Sequence, residues 1–235
     1  MATSSVSLAS GASGASGASG AATSFSDPAL ARVWNYWFAH RSLSPSLHPA
    51  ADPFADDYPL GQRLWFRGGP EIDEEIRRHF GELVEAAAAG ELDDWRETPR
   101  GCLGLVLLLD QFPRNMHRGT AQAFQHDAAA LAVARHALDR GFDRELAPAE
   151  SLFLQLARVH TEDLAEARRG LAGITELTTR CARRHYTTAR SWQVGAMKHV
   201  DLLERFGRYP HRNAVLGRQS TDEEIAFLAT PGSSF

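Results

Sequence analysis

Apolar residues recur along the chain at spacings of three and four, and almost nowhere in strict alternation. Leu30, Val33, Trp34, Trp37 and Phe38 share one helical face, opened by Asp27-Pro28, an acid suited to a helix N-cap and a proline suited to the first turn. The pattern returns from Glu71 to Ala89 with Ile72, Ile76, Phe80, Leu83 and Val84, and Gly90 stands where that helix would stop. Thr98-Pro99 caps a third segment whose run Leu103 to Leu109 is apolar on every side, which predicts a central helix ended by Pro113. Further helices are predicted over Thr120 to Arg140, closed by Gly141, over Pro148 to Arg169, and over Ile174 to Phe206 with a break near Thr187. Short helices after Asn213 and after Thr221, where Glu224 is placed for a capping box, complete the series. No segment has the alternation or the β-branched runs that strands need. The predicted class is all-α, a single domain of packed antiparallel helices over 27–235.

Two stretches interrupt the helical pattern. Residues 1–26 are Ser, Ala and Gly with a Gly-Ala-Ser repeat from Gly11 to Gly20, too poor in large apolar side chains to offset the entropy of ordering, so a disordered tail is expected. No Arg or Lys precedes Arg32, which argues against an organelle transit peptide. Four prolines between Pro45 and Pro59 predict a long loop leading to Trp65-Phe66.

Composition adds limits. A chain of 235 residues with 43% hydrophobic content can bury one sizeable core. A net charge of −4 gives no global pull toward nucleic acid or anionic membrane. The stretch Arg180 to Arg218 is locally basic, with nine Arg or Lys against Asp201 and Glu204, and reads either as a solvated face or as an RNA surface. No RNA-binding module accompanies it, so nucleic acid is not the expected partner. Cys102 and Cys181 lie far apart outside any metal or redox spacing, and no apolar run approaches the roughly 20 residues of a membrane span. A reduced, cytoplasmic protein is expected.

Four polar residues fall on faces that should be buried. Asp110 follows Leu103, Val106 and Leu107; Asp127 sits between Phe124 and Leu131; His160 lies among Phe153, Leu156 and Leu164; His199 shares a face with Leu202, Leu203 and Phe206. Buried charge is costly unless paired, so each acid predicts a partner. The candidates are arginines just past helix ends, in two similar strings: Asp110-Gln111-Phe112-Pro113-Arg114-Asn115 and Phe206-Gly207-Arg208-Tyr209-Pro210-His211-Arg212-Asn213. In each, an aromatic residue and a proline precede an Arg-Asn pair, where Arg offers a planar fork of donors and Asn can hold the turn. Arg114 and Arg212 pairing with Asp110 and Asp127 would lock helix corners; the same groups could line an anion pocket.

These strings, with Arg118-Gly119, Asp127, His160-Thr161-Glu162-Asp163, Leu216-Gly217-Arg218 and Thr221 through Leu228, resemble an uncharacterised bacterial family, domain of unknown function 924. Trp37-Phe38, Trp65-Phe66 and Gly90-Glu91-Leu92 to Trp95 fit as well, and the resemblance runs from about Val33 onward. It implies an all-helical fold similar to tetratricopeptide arrays, although no true 34-residue repeat is visible. It implies no activity.

His160, Glu162, His199 and His211 are suitable metal-ligand types, but His160 and Glu162 would point apart on one helix and no HExxH pair occurs, so no metal or other cofactor is expected. Nucleophile elbows, P-loops and dinucleotide glycine patterns are absent. The expected function is binding of an anionic small molecule or peptide end in a pocket lined by Arg114, Arg212 and Arg218 with His160 and His199. Asp110, Asn115, Asp127, Glu162, Arg208, His211 and Asn213 complete the candidate set. The alternative is a hydrolase or lyase using the buried histidines in the same pocket.

Overall fold

Asp27 opens helix α1 (Pro28–Phe38): its carboxylate accepts from the amides of Ala29 (2.7 Å) and Leu30 (3.3 Å) and from the indole of Trp95 (2.8 Å). One residue therefore both caps the helix and ties it to the segment preceding the central helix. The computed structural model describes residues 27–38, 65, 69–181 and 183–233. The expected tail, the proline-rich segment between Arg41 and Pro59, and Phe66 lie outside the described residues.

Helix α2 (Pro70–Ala88) ends before Gly90, whose φ of +80° turns the chain in the left-handed region. A 3₁₀ turn, Asp93–Glu97, leads to α3 (Pro99–Val106), capped by the Thr98 hydroxyl accepting the Gly101 amide at 3.1 Å. Every side chain from Leu103 through Leu109 that can be buried is buried, because α3 packs against α1, α5 (Asp127–Asp139) and α6 (Pro148–Val159) at once. Helices α6, α7 (Leu164–Arg180) and α8 (Tyr186–Phe206) lie side by side; their short connections, 160–163 and 181–185, force successive members to run antiparallel. Trp37, Phe38, Trp65, Phe112 and Phe153 meet as tilted and edge-on pairs with ring centroids 5.1 to 5.8 Å apart, joining the α1 end of the core to α6. The fold is all-α in one domain, with no strand among the described residues, and no described helix is long and apolar enough to cross a membrane.

Several helix boundaries differ from expectation. Pro113 does not end the central helix. The chain passes through a widened π turn, Leu107–Gln111, in which the Phe112 amide bonds to the Leu107 carbonyl, and continues as α4 (Phe112–Met116). Proline lacks an N–H, and its ring would strike the carbonyl four residues back; the extra residue places it at a helix start, where no N–H is needed. The segment Thr120 to Arg140 is likewise not one helix: a 3₁₀ turn, Ala121–Phe124, precedes α5. Pro148 to Arg169 is interrupted at residues 160–163, because the Asp163 carboxylate accepts from Ala165 and Glu166 (2.8 and 3.1 Å) and starts α7 afresh. The break expected near Thr187 comes earlier: α7 ends at Arg180, and a 3₁₀ turn, Arg183–His185, directly precedes α8. After Asn213 there is a turn rather than a helix, preceded by a 3₁₀ turn at Pro210–Arg212, while Thr221 and Glu224 form the expected capping box on α9 (Asp222–Leu228).

Two features hold the α5–α7 layer. Glu166, 2% exposed, accepts from Arg158 (2.8 Å), Arg135 (3.0 Å) and Arg169 (2.6 Å), tying α5, α6 and α7 together. Burial would raise its carboxyl, but the three guanidinium groups outweigh that and hold it down at about 2. Its contribution is present above the ordinary carboxylate range and is lost as pH falls toward 2. Glu166→Gln, which removes the charge from three arginines, should lower unfolding free energy at pH 7 by about 3 kcal/mol in urea titration, with a smaller loss at pH 3. The second feature is close approach at Gly170, where a Cβ would stand 2.9 Å from the Gln155 carbonyl oxygen and 2.7 Å from Val159. Gly170→Ala should destabilise by about 1 kcal/mol, overpacking exceeding the gain in helix propensity; Gly81→Ala, whose Cβ meets only Met116 at 3.7 Å, should stabilise by about 0.5–1 kcal/mol.

Candidate ligand-binding cavity

Asp110 is fully buried at 0% exposure in the π turn, so its charge must be met inside the protein. Nδ1 of His160, the residue that closes α6, lies 2.9 Å from both carboxylate oxygens. Arg114, one α-turn onward, approaches Oδ1 at 3.0 Å and donates to the Asp110 carbonyl at 2.6 Å; the Gln111 side-chain amide donates to the other carboxylate oxygen. Arg114 then forks onto Asp127, at the first turn of α5, with bonds of 2.8 and 2.9 Å. Arg212, carried by the turn Pro210–Arg212, reaches the same carboxylate at 3.3 Å. A continuous chain results: His160, Asp110, Arg114, Asp127, Arg212. Two carboxylates balance two guanidinium groups.

Arg212 is the least satisfied member. It is 6% exposed and lies between two rings, its guanidinium carbon 4.4 Å from the Phe124 centroid and 4.6 Å from that of Tyr209. The one bond to Asp127 is long, Nε is buried without a hydrogen bond, and Nη2 makes none among the described residues. Tyr209 is held by its hydroxyl, which donates to the Val159 carbonyl at the end of α6, and by its amide, which donates to Glu162 at 2.7 Å. Its ring meets His199 edge-on at 5.4 Å and stacks on His211 at 5.7 Å. His199 donates Nδ1–H to the Gly195 carbonyl at 2.9 Å, and its ring lies 5.9 Å from that of His160.

These groups form one end of a cavity of about 530 Å³, within the range of small-molecule sites. Gln111, Arg114, His160, His199, His211 and Arg212 line the polar end; Trp65, Phe124, Leu152, Leu156, Trp192 and Ala196 supply the apolar wall. Burial would raise the Asp110 carboxyl, but Arg114 and His160 overcome it and hold the group well below the usual carboxylate range. Burial pushes all three histidines down. It exceeds the pull of Asp110 on His160, lowers His199 to about 3 with help from His160, and lowers His211 to about 4 with help from Arg212. At neutral pH the cavity therefore holds neutral imidazoles beside a balanced set of fixed charges. Neutral His160 bonded to a carboxylate must carry its proton on Nδ1, which leaves Nε2 as an acceptor.

The residues anticipated from sequence separate into two groups. Arg114, His160, His199, His211 and Arg212 come together in the cavity lining, whereas Asp110 and Asp127 are not among the lining residues and act behind it, on His160, Arg114 and Arg212. Asn115 also lines the cavity and donates to Asp73 at 2.9 Å; Arg118, outside the candidate set, lines it too and is held by the same carboxylate at 2.8 and 2.9 Å. Arg218 does not line the cavity, contrary to expectation: it forks onto Glu162 at 2.5 and 2.9 Å. Glu162 turns that way because α6 has ended at His160, so the two residues never share a helix. Arg208 and Asn213 also lie outside the lining and bind Glu224, at 2.7 and 2.8 Å and at 3.2 Å respectively. This second network clamps the segment after α8 onto the α6–α7 connection. Among the described residues no group of three His, Cys, Asp or Glu could hold a metal. Sequence reasoning missed Gln111, Phe124, Trp65 and Trp192 as lining residues; only the adjacency of Gln111 to Asp110 offered a signal.

The family described as bacterial protein of unknown function (DUF924) matches residues 33–232. The chain belongs to this family. Both networks of this DUF924 chain lie within the matched residues. It is similar to the solved structure of a protein of unknown function, ATU0120, from Agrobacterium tumefaciens, at 36% identity over 70% of this chain and 88% of that one, with a TM-score of 0.62. No curated protein matches.

A buried neutral histidine has a definite stability signature. His199 is protonated near pH 6.5 when unfolded but stays neutral to about 3 when folded, so its contribution is complete above pH 6.5 and declines as pH falls. Between pH 7 and 5 this group alone should remove about 2 kcal/mol of unfolding free energy, and His199→Gln should flatten the loss by a similar amount in urea titrations. Stability that stays level over that interval would contradict neutral burial.

Proposed function

We propose that the chain binds an anionic small molecule or peptide end in this cavity, its negative group received by Arg212 with Arg114 and the neighbouring histidines. The observation that carries the reading is Arg212: a cation 6% exposed, clamped between two rings, with donors its single 3.3 Å bond to Asp127 does not use. An arginine that served only to neutralise Asp127 would gain by forking onto it, as Arg114 does. The facing wall of Trp65, Leu152, Leu156, Trp192 and Ala196 favours a ligand with an apolar body.

The Asp110–His160 pair supports a second reading, a hydrolase or lyase. A carboxylate behind Nδ1 orients the ring and leaves Nε2 to take or give a proton at the cavity. Arg114 on the same carboxylate weakens that support, since it stabilises Asp110 without any imidazolium.

Thermal denaturation against a panel of monocarboxylates, phosphate esters and short peptides separates these readings. An anion that binds should raise Tm, the stabilisation reaching about 2.7 kcal/mol at one hundred times its Kd, and Arg212→Gln should abolish the rise. No stabilisation by any member at millimolar concentration would overturn the binding reading. Turnover of a panel ester or amide that disappears in His160→Gln, with the fold intact, would decide for the second.

A further inference from the structure

The charges that surround the cavity restrict how an anion can enter it. Asp110 and Asp127 are matched by Arg114 and Arg212, and these four side chains are mostly or wholly removed from water. A bound monoanion would leave that set one negative charge in excess, in surroundings where an unbalanced charge is expensive. Arginine cannot take up a further proton, and both carboxylates are already engaged as acceptors. The imidazoles of His160, His199 and His211 are the groups at this end that can restore the balance.

We infer that the cavity takes its ligand together with one proton, which settles on Nε2 of His160, so that the ligand class is a monocarboxylic acid with an apolar body. This rests on the binding proposed above. The proton comes from solvent: neutral His160 gains it at Nε2, keeps the Nδ1–H bonded to Asp110, and the new N–H donates to the ligand carboxylate, whose other oxygen accepts from Arg212.

His160 is the histidine placed for this. Asp110 of the π turn stands directly behind it at 2.9 Å and Asp127 of α5 adds a further negative charge, while Arg114 of α4 opposes protonation; Arg212 of the turn before Asn213 is the other cation at this end, and His199 of α8 and His211 are neutral and add no fixed charge. Burial, with Arg114 adding to it, therefore keeps His160 neutral. A carboxylate at Nε2 would put a negative group on each side of the ring and reverse the balance. His199 is less suited, because its Nδ1–H is held by the Gly195 carbonyl rather than a carboxylate, and His160, Arg212 and His211 oppose its charge. His211 stacks on Tyr209 next to the Arg212 cation, with Glu162 drawn away by Arg218.

Isothermal titration of the full chain with benzoate, phenylacetate, hexanoate and octanoate, each in Tris and in HEPES at matched pH, measures the proton directly. Binding should take up about one proton per ligand, and Kd should weaken roughly tenfold per pH unit over the interval in which uptake is complete. His160→Gln, which can donate a hydrogen bond but cannot titrate, should bind more weakly with uptake near zero and a flat pH profile; its Tm confirms that it is folded. Binding with the same heat in both buffers would overturn proton coupling and leave the anion site standing. Full uptake retained in His160→Gln would overturn the assignment to that residue. Failure of all four acids to bind at millimolar concentration would overturn this inference, and loss of every anion in the wider thermal panel would remove the site as well.

Discussion

A carboxylate with no access to water organises this protein. Asp110 sits where the central helix widens, and a charge in that position is tolerable only if donors reach it from outside its own turn. Arg114 and His160 do so, and Arg114 in turn engages Asp127, which holds Arg212. Four stretches distant in sequence are thereby required to meet at one point. The requirement is directional as well as electrostatic, since the forked geometry of Arg114 on Asp127 fixes the start of α5 relative to the π turn.

The irregularities of the helices serve the same point. A regular helix through Asp110 could not accommodate Pro113, and the widened turn both admits the proline and sets the carboxylate toward His160. The interruption after Val159 leaves His160 at a helix end instead of mid-face, with the Tyr209 hydroxyl donating to the buried Val159 carbonyl that the helix end leaves free. Tyr209 also fixes the plane on which His199, His211 and Arg212 pack. The outer network of Glu162, Arg218, Arg208 and Glu224 keeps that segment seated. The outer network carries no lining side chain, whereas the inner one both fixes the helices and, through Arg114, His160 and Arg212, supplies the polar end.

Much of the basic stretch is engaged within the chain. Of the cations between Arg180 and Arg218, Arg180, Arg205, Arg208, Arg212 and Arg218 are engaged by carbonyls or carboxylates of the chain itself. Within this DUF924 chain, the property that distinguishes the inner end of the cavity is balance: neutral imidazoles beside equal numbers of fixed positive and negative charges. Such a setting responds to an incoming charge far more strongly than an exposed basic patch, because little water is present to screen it.

Helix content and class were legible in the sequence because apolar spacing and caps are local: Asp27, Thr98, Gly90 and the Thr221–Glu224 box act on their own neighbours. One buried charge, Asp110, was legible because a charge on an apolar face is visible at helical spacing, and Arg114 pairing with Asp110 and Asp127 followed from its cost; Asp127, His160 and His199, read the same way, are only half-buried, and the buried acids Glu75 and Glu166 gave no such signal. Tertiary structure decided the rest. Whether Pro113 ends a helix or follows a π turn into the next one depends on what waits for Asp110, and whether Arg218 faces the cavity or Glu162 depends on where α6 stops. Those outcomes turn on partners far away in sequence, His160 with Asp110 at a separation of 50 and Arg218 with Glu162 at 56, as does Arg212 with Asp127 at 85, and no local pattern encodes them. The apolar wall was hidden for the same reason: Leu152, Leu156 and Trp192 have the spacing of ordinary core residues, and only the packing of α6 against α8 leaves space between them.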